Sequence, residues 1–131
     1  MAALSKIQSI EIDSQSLPLK VPFTTSRHVV NAARCARVAI RLDNGMLAYG
    51  AGTPNEVVTG DTLASMLAVL RDLTPRLIGA DLADWNNLLA QVQNLITGNG
   101  PAKAALEIAL YQLRAQLYGI DLPQLLGCRQ A

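Results

Sequence analysis

The chain has 131 residues, a hydrophobic fraction of 50%, a charged fraction of 16% and a formal net charge of +1. This length fits one domain with a core of its own, and the scattered, nearly balanced charges give no electrostatic reason to expect binding to nucleic acid or to an anionic membrane. No apolar run reaches the roughly 18 residues of a membrane span, the N-terminus lacks a secretory signal pattern, and two distant cysteines form neither a disulfide framework nor a zinc site, so we expect a cytoplasmic protein.

The first third of the chain predicts three β-strands. The segment "KIQSIEID" alternates apolar and acidic residues, and residues 35–42 continue period 2 over eight residues, which is typical of a half-buried strand. Asn44 and Gly45 follow at once, and an Asn-Gly pair supplies the positive φ angles of a tight hairpin turn. The segment "MLAYGAG" then indicates a returning strand, so we expect an antiparallel meander.

Between the first two strands lies the proline-containing segment "SLPLKVPFTTSR". Pro18 and Pro22 lack the N–H donors of a regular ladder, so residues 14–27 are predicted to form a long loop or an extended excursion, and long loops in compact domains are usually functional or mobile. Arg27 and His28 stand near its end. The guanidinium fork of Arg27 is well shaped to donate to a carboxylate, while a plain surface charge at Arg27 and a solvated His28 remain the alternatives.

From Thr59 onward the apolar period changes to 3.6, which predicts helices. Thr59 or Asp61 is expected to cap the first of them, and Pro75 to end it because proline lacks a donor and restricts the preceding residue. A second helix is predicted after Asp81.

A third helix is predicted to begin at Pro101, whose missing N–H costs nothing in the first turn, and to end at Gly119. The segment "LPQLLG" is expected to add a final helical turn. Strands first and helices afterwards predict the α+β class, with a three-stranded antiparallel meander packed on a bundle of three or four helices.

The residues do not indicate that this chain catalyses a reaction on its own, because the sequence has one histidine and no recognisable nucleophile, phosphate loop or metal-ligand spacing. Glu107 lies within an apolar helix and should therefore have a hydrogen-bonding partner. Cys35 is expected to be an inert packed thiol, and Arg114 to solvate the third helix. Gly50 and Gly52 are expected to permit close approach of another body to the backbone.

Four segments together resemble a known family: "PLKVPFTTSR", "VAIRLDNG", "AYGAGTPNEVVTGDT" and "AALEIALYQLRAQLYGIDLPQLLG". In this order they are similar to the N-terminal capping domain of the enolase superfamily, within it to the muconate-lactonizing subgroup, and most of all to the dipeptide (L-Ala-D/L-Glu) epimerases. The resemblance covers nearly the whole chain. It implies a three-stranded antiparallel sheet followed by a helical bundle, in agreement with the expectation from periodicity.

The resemblance also implies that the catalytic residues belong to a second domain. In such enzymes a (β/α)₈ barrel follows the capping domain and supplies two catalytic lysines and three carboxylates that bind Mg²⁺. We expect residues 1–131 to be the capping domain alone, without the barrel, and thus to hold no catalytic residue, no metal ligand and no cofactor. Mg²⁺ then belongs to the full-length family, and the capping domain alone would be catalytically incompetent.

Two lid loops are implied by the same resemblance, at residues 17–28 and 50–60, which would close over the barrel mouth and select the substrate. Arg27 would meet a substrate carboxylate, and the neighbouring lid residues would shape the pocket. The candidate substrate-binding residues are Phe23, Thr25, Arg27, Thr53 and Val58.

Other functions remain open at this point. The chain could be a stand-alone binding or oligomerisation module, or the cap of a sister enzyme such as o-succinylbenzoate synthase or muconate cycloisomerase. The expected partner is the barrel domain of the same enzyme or a second copy of this chain. A surface built to be covered would be left bare, which favours a homo-oligomer.

Overall fold

Three strands form one antiparallel sheet in the order β1–β2–β3, with β1 at Ile7–Thr24, β2 at Val29–Leu42 and β3 at Leu47–Gly52. The computed structural model describes residues 5–24, 26 and 29–128. The even-numbered residues of β2 from Ala36 to Leu42 are fully buried, because period 2 directs them all to the face that the helices cover. The predicted meander is therefore confirmed.

The first hairpin is much longer than the sequence indicated. Of the two predictions for residues 14–27, the long loop is wrong, whereas an extended segment is what residues 14–24 form. Residues 14–18 of β1 pair with residues 32–36 of β2, and Phe23 and Thr24 pair with Val30 and Val29. Prolines are tolerated here because β1 is an edge strand, and the register shifts between Pro18 and Phe23. As a result, β1 and β2 continue as a two-stranded ribbon beyond the end of β3.

The helices follow in the second half of the chain: α1 at Leu63–Leu73, a 3₁₀ turn at Thr74–Leu77, α2 at Trp85–Gln93, α3 at Gly100–Tyr118 and α4 at Leu122–Leu125. Pro75 lies in the 3₁₀ turn directly after α1, as its expected role as a helix terminator requires. Gly119 ends α3 with a φ of 68°, and α4 is the predicted final turn. The α+β class is confirmed.

The predicted cap of α1 is wrong by one to three residues. Thr62 is the N-cap: its hydroxyl accepts a hydrogen bond from the Ser65 N–H at 2.9 Å, and its own N–H donates to Ser65 Oγ at 3.0 Å. This reciprocal pair satisfies donors that the first helical turn leaves free. Thr59 cannot take that part, because its hydroxyl bonds instead to the Asn55 carbonyl oxygen and to Asp61.

The core lies between the sheet and α3, whose buried residues include Ala105, Leu106, Ala109, Leu110 and Leu113. The helix lies so close to β3 that a Cβ at Gly50 would sit 2.8 Å from the backbone nitrogen of Ala109 and would collide with the Ala105 carbonyl. Gly52 lies similarly against the Pro101 carbonyl. The close approach expected at both glycines is confirmed, and the body that approaches is the protein's own α3.

The N-terminal end of β1 is fastened to the segment before α2. The Ile7 N–H donates to the Ala80 carbonyl at 2.9 Å, and Ser5 donates its hydroxyl proton to Asp81. Asp81 also accepts from the Ala83 N–H at 3.0 Å. The hydrogen bonds from Ser5 and then Ala83 favour the ionised carboxylate, so the pKa of Asp81 is lowered from its ordinary value of 3.8.

Candidate functional site

Two segments project from the same end of the sheet. Gly52, the last residue of β3, pairs with Ala36 of β2, while β2 begins at Val29. At about 3.3 Å per residue, the β1–β2 ribbon therefore extends roughly 20 Å past the level at which β3 ends. We name its outer part, residues 21–24 and 29–30, the ribbon tip. The segment at residues 53–62, which leaves β3 toward the same end, is the β3–α1 loop.

The ribbon tip presents apolar side chains to the surface. Phe23 is 62% exposed and Val21 76% exposed, although the backbone of Phe23 is paired with that of Val30. Two large apolar side chains of the ribbon tip are therefore available for contact. The other predicted residues of this segment, Thr25 and Arg27, lie outside the described residues, so their roles stay predictions.

The β3–α1 loop contains an ordered turn. The Thr59 N–H donates to the Asn55 carbonyl at 3.0 Å and the Gly60 N–H to the Glu56 carbonyl at 3.1 Å, which closes one helical turn. The Asn55 side chain accepts from the Val58 N–H at 3.2 Å. This turn holds Val58 at 76% exposure, next to Val57 at 56%.

The predicted residues that the structure describes lie at one end of the domain, but they do not line a shared closed pocket. Phe23, Thr53 and Val58 are all exposed. A cavity of about 210 Å³ is lined instead by residues of the sheet, from Ser9 to Tyr49, that belong to neither projecting segment. The two projecting segments thus form two exposed edges and do not by themselves enclose a site among the described residues.

Sequence reasoning did not identify Asn55 or Val57. Asn55 fixes the turn, and Val57 stands beside Val58 with a similar exposure to solvent. The available signal was the Asn-x-x-Val spacing after a proline, since asparagine side chains commonly accept from backbone N–H groups two or three residues ahead.

Within the described ranges, no three His, Cys, Asp or Glu side chains come close enough to share a metal ion. These residues therefore do not fit the Mg²⁺ site that the resemblance implies for full-length enzymes. None of the helices in the part of the chain that the structure describes is long and apolar enough to cross a membrane.

Two charged residues of α3 have specific partners. Glu107 accepts a hydrogen bond from the Gln93 side chain, as its position in an apolar helix led us to expect. The expectation for Arg114 is wrong, because its guanidinium carbon lies 4.4 Å from the centroid of the Trp85 ring and 5.6 Å from that of Tyr118. Stacking on aromatic faces offsets part of the loss of hydration.

On the face of the sheet opposite the helices, Arg37 and Asp13 form an ion pair, with Nε 3.0 Å from Oδ1. The hydrogen bonds from Arg37 lower the pKa of Asp13, and the same contact raises the pKa of Arg37. Arg37 also lies 5.2 Å from the centroid of the Tyr49 ring. Cys35 is buried and free, in agreement with a packed thiol.

A three-stranded antiparallel meander followed by four helices, with two projecting segments at one end, defines a domain of the enolase N-terminal type. The family model for the mandelate racemase / muconate lactonizing enzyme N-terminal domain matches residues 7–127. The chain belongs to this family.

Among its relatives are enzymes that act on dipeptides. The chain is 40% identical over 123 residues to the L-Ala-D/L-Glu epimerase of Bacillus subtilis (strain 168). The alignment covers 93% of this chain and 34% of that protein. A substrate-liganded complex of the L-Ala-D/L-Glu epimerase from Bacillus subtilis superposes with a TM-score of 0.88 at 39% identity, over 92% of this chain and 34% of the other.

A dipeptide epimerase from Methylococcus capsulatus, complexed with Mg and the dipeptide L-Arg-D-Lys, superposes with a TM-score of 0.87 at 32% identity, over 93% of this chain and 35% of the other. The chain spans about a third of the length of the curated relatives it matches. The resemblance found in the sequence is confirmed, both for the family and for its similarity to dipeptide epimerases.

Proposed function

We propose that this chain is the capping domain of a Mg²⁺-dependent dipeptide epimerase. The ribbon tip and the β3–α1 loop would cover the mouth of a catalytic barrel, exclude water and select the substrate. The observation that carries the proposal is the emergence of both segments at one end of the sheet, each with large apolar side chains more than half exposed. The relatives, which are about three times as long, support a partner domain of the same enzyme.

The residues of this chain would act by binding and enclosing. Phe23 from the ribbon tip and Val58 from the β3–α1 loop would supply apolar contact from two sides, with Thr53 beside Val58. Thr25 would help to shape the pocket, and Arg27 would donate to a substrate carboxylate, for which a guanidinium is well suited. Proton transfer and metal binding are assigned to the barrel and not to any residue of this chain. A cytoplasmic location fits this proposal, since two distant cysteines indicate a reducing compartment.

The caps of o-succinylbenzoate synthase and muconate cycloisomerase are the alternatives from sister enzymes. Dipeptide epimerisation is favoured because epimerases align with more than nine-tenths of this chain at 40% and 38% identity. A binding module that works without a barrel is the second alternative, and it would leave the chain with a ligand of its own.

The test compares the 131-residue chain with the chain joined to its barrel. We expect NMR in D₂O to show exchange of the glutamate α-proton of L-Ala-L-Glu by the complete enzyme and none by the 131-residue chain. Exchange by the 131-residue chain would overturn the proposed division of labour. Failure of the complete enzyme to exchange any dipeptide, together with turnover of a cycloisomerase or synthase substrate, would select a sister activity.

The role of Arg27 is tested in the complete enzyme. Arg27→Ala should raise KM or lower kcat/KM for an acidic dipeptide by about tenfold or more, because one charge-assisted hydrogen bond contributes about 1.5–3 kcal/mol. Arg27→Lys should recover part of the loss. Lys103→Ala, in α3, is the control and should leave the kinetics unchanged, while unchanged kinetics in Arg27→Ala would remove the assignment.

A further inference from the structure

The turn at residues 55–60 of the β3–α1 loop is held by its own hydrogen bonds and not by burial. Every residue of this turn is exposed, and among the described residues no hydrogen bond joins it to a strand or a helix. A single helical turn fixes several backbone angles for few hydrogen bonds, so it is unfavourable unless its ends are capped. The conformation of the turn therefore depends on the groups at its two ends.

Asn55 occupies the N-cap position of this turn. Its side-chain oxygen accepts a hydrogen bond from the Val58 N–H at 3.2 Å, and its carbonyl oxygen accepts one from the Thr59 N–H at 3.0 Å. A helix N-cap makes the same two contacts, because its side chain accepts from an N–H of the first turn while its carbonyl accepts the first helical hydrogen bond. Without the Asn55 side chain, the Val58 N–H would lose the acceptor that it has in this structure.

The other end of the turn is joined to the start of α1. The Thr59 hydroxyl lies 2.8 Å from Asp61 Oδ2, and Asp61 directly precedes Thr62, the N-cap of α1. Gly60 ends the turn with a φ of 78°, a left-handed conformation that glycine adopts without strain. The turn is thus anchored to the N-terminus of α1 at one end and closed by Asn55 at the other.

The two apolar residues that the turn presents do not stabilise the domain by burial. Val57 is 56% exposed and Val58 is 76% exposed. Valine is also a poor helix former, because a helical turn restricts the χ1 angle of a β-branched side chain. The folding of the domain therefore does not account for two valines at these positions.

We propose that Asn55 is a positioning residue for substrate binding, which holds Val57 and Val58 as a preformed apolar contact for an aliphatic part of a dipeptide. This inference rests on the proposed function, in which the β3–α1 loop covers the substrate. A contact surface that is ordered before binding loses less conformational entropy when the substrate binds. Asn55 would therefore strengthen binding without touching the substrate, and proton transfer would not depend on it.

The first experiment measures amide hydrogen exchange in the 131-residue chain by NMR. Asn55→Ala should speed the exchange of the Val58 and Thr59 amide protons by about fivefold or more, because the cap that closes the turn is lost. Asn55→Asp keeps an acceptor and should preserve the slow exchange. Asn86→Ala, at an exposed position of α2, is the matched control. The urea midpoint of Asn55→Ala should equal that of the parent, since residues 55–60 are exposed.

The second experiment measures exchange of the glutamate α-proton of L-Ala-L-Glu by the complete enzyme. Asn55→Ala should raise KM by about three- to tenfold, the effect of losing one hydrogen bond that orders the loop. It should leave kcat within about twofold of the parent, because binding is weakened equally in the ground state and the transition state. Asn55→Asp should restore the parent KM, and Asn86→Ala should leave KM unchanged.

A double-mutant cycle tests whether Asn55 acts through the two valines. In the variant Val57→Ala/Val58→Ala the apolar contact is already lost, so the addition of Asn55→Ala should raise KM by less than about twofold. If Asn55→Ala has its full effect on KM in that background, Asn55 does not act through the valines and the positioning role is wrong.

Three other results would overturn the inference: amide exchange of Val58 that Asn55→Ala does not change, a KM that Asn55→Ala does not change, or a kcat that falls while KM stays the same. Each of them leaves the proposed function standing, since the parent enzyme still exchanges the dipeptide. A complete enzyme that exchanges no dipeptide overturns the proposed function, and the role of Asn55 in substrate binding fails with it.

Discussion

Replacing Gly50 by alanine should be one of the most disruptive small changes available in this domain. The added methyl group would meet the carbonyl oxygen of Ala105, 2.9 Å from that residue's carbonyl carbon, and would lie 2.8 Å from the backbone nitrogen of Ala109. All of these atoms belong to the backbone of α3, so no side-chain rotation relieves the collision. The helix must move away from β3 by roughly 1.5–2 Å at the Ala105 carbonyl to restore an ordinary contact of about 3.5–4 Å.

The loss of stability follows from the gap that this movement of α3 would open in the core. Ala105, Leu106, Leu110 and Leu113 of α3 are no more than 1% exposed, and a gap of about 0.5–1 Å forfeits a quarter to a half of each dispersion contact along it. Overpacked cores lose about 1–3 kcal/mol and sometimes more. Because the obstacle is backbone, we expect Gly50→Ala to lower the free energy of unfolding by about 3 kcal/mol or more, a large share of the roughly 5–15 kcal/mol typical of a domain.

Urea unfolding followed by far-UV circular dichroism measures this loss. Gly100→Ala is the matched control, because its Cβ would meet nothing within 4 Å and Gly100 does not have a positive φ. It should leave the free energy of unfolding unchanged or raise it by about 0.4–1 kcal/mol through the entropy of the unfolded chain. A Gly50→Ala variant within about 1 kcal/mol of the parent would refute the close packing of α3 on β3.

Three further substitutions test local contacts. Thr62→Ala removes the hydroxyl that accepts from the Ser65 N–H and should cost about 1 kcal/mol in urea unfolding; no loss would mean that the cap is not formed in solution. Asp81→Asn should destabilise the fold at pH 7, and because the pKa of Asp81 is lowered, the difference from the parent should vanish as the pH falls below 3.8; a difference that persists at lower pH would contradict the hydrogen-bonded carboxylate. Arg114→Ala should shift the emission of Trp85, the only tryptophan, to longer wavelength as water reaches the ring, whereas an unchanged spectrum would contradict the stacking.

The sheet could be predicted from the sequence where burial alone decides the pattern. In β2, the alternation from Ala36 to Leu42 corresponds directly to a buried face. The ribbon could not be predicted, because Pro18 and Pro22 exclude a strand only if it is central, and the sequence does not reveal that β1 lies at the edge. Strand order is a property of tertiary structure, so the local rule was applied in the wrong context.

The candidate site was predictable mainly through family resemblance. Composition indicated loops, but only the resemblance assigned Phe23 and Val58 to two segments that act together, and the structure places both at one end of the sheet. The ordered turn in the β3–α1 loop was missed because it depends on which polar group Asn55 engages. Thr59 was a reasonable cap by type, yet its hydroxyl is already bonded to the Asn55 carbonyl.

The long ribbon separates the side chains that are exposed for contact from the side chains that stabilise the fold. Its outer side chains, such as Phe23, are exposed, whereas the buried core lies between the three strands and the helices. Substitutions at the ribbon tip therefore leave the buried core intact. Over evolutionary time, the contacts that those side chains make can therefore diverge much faster than the fold that carries them.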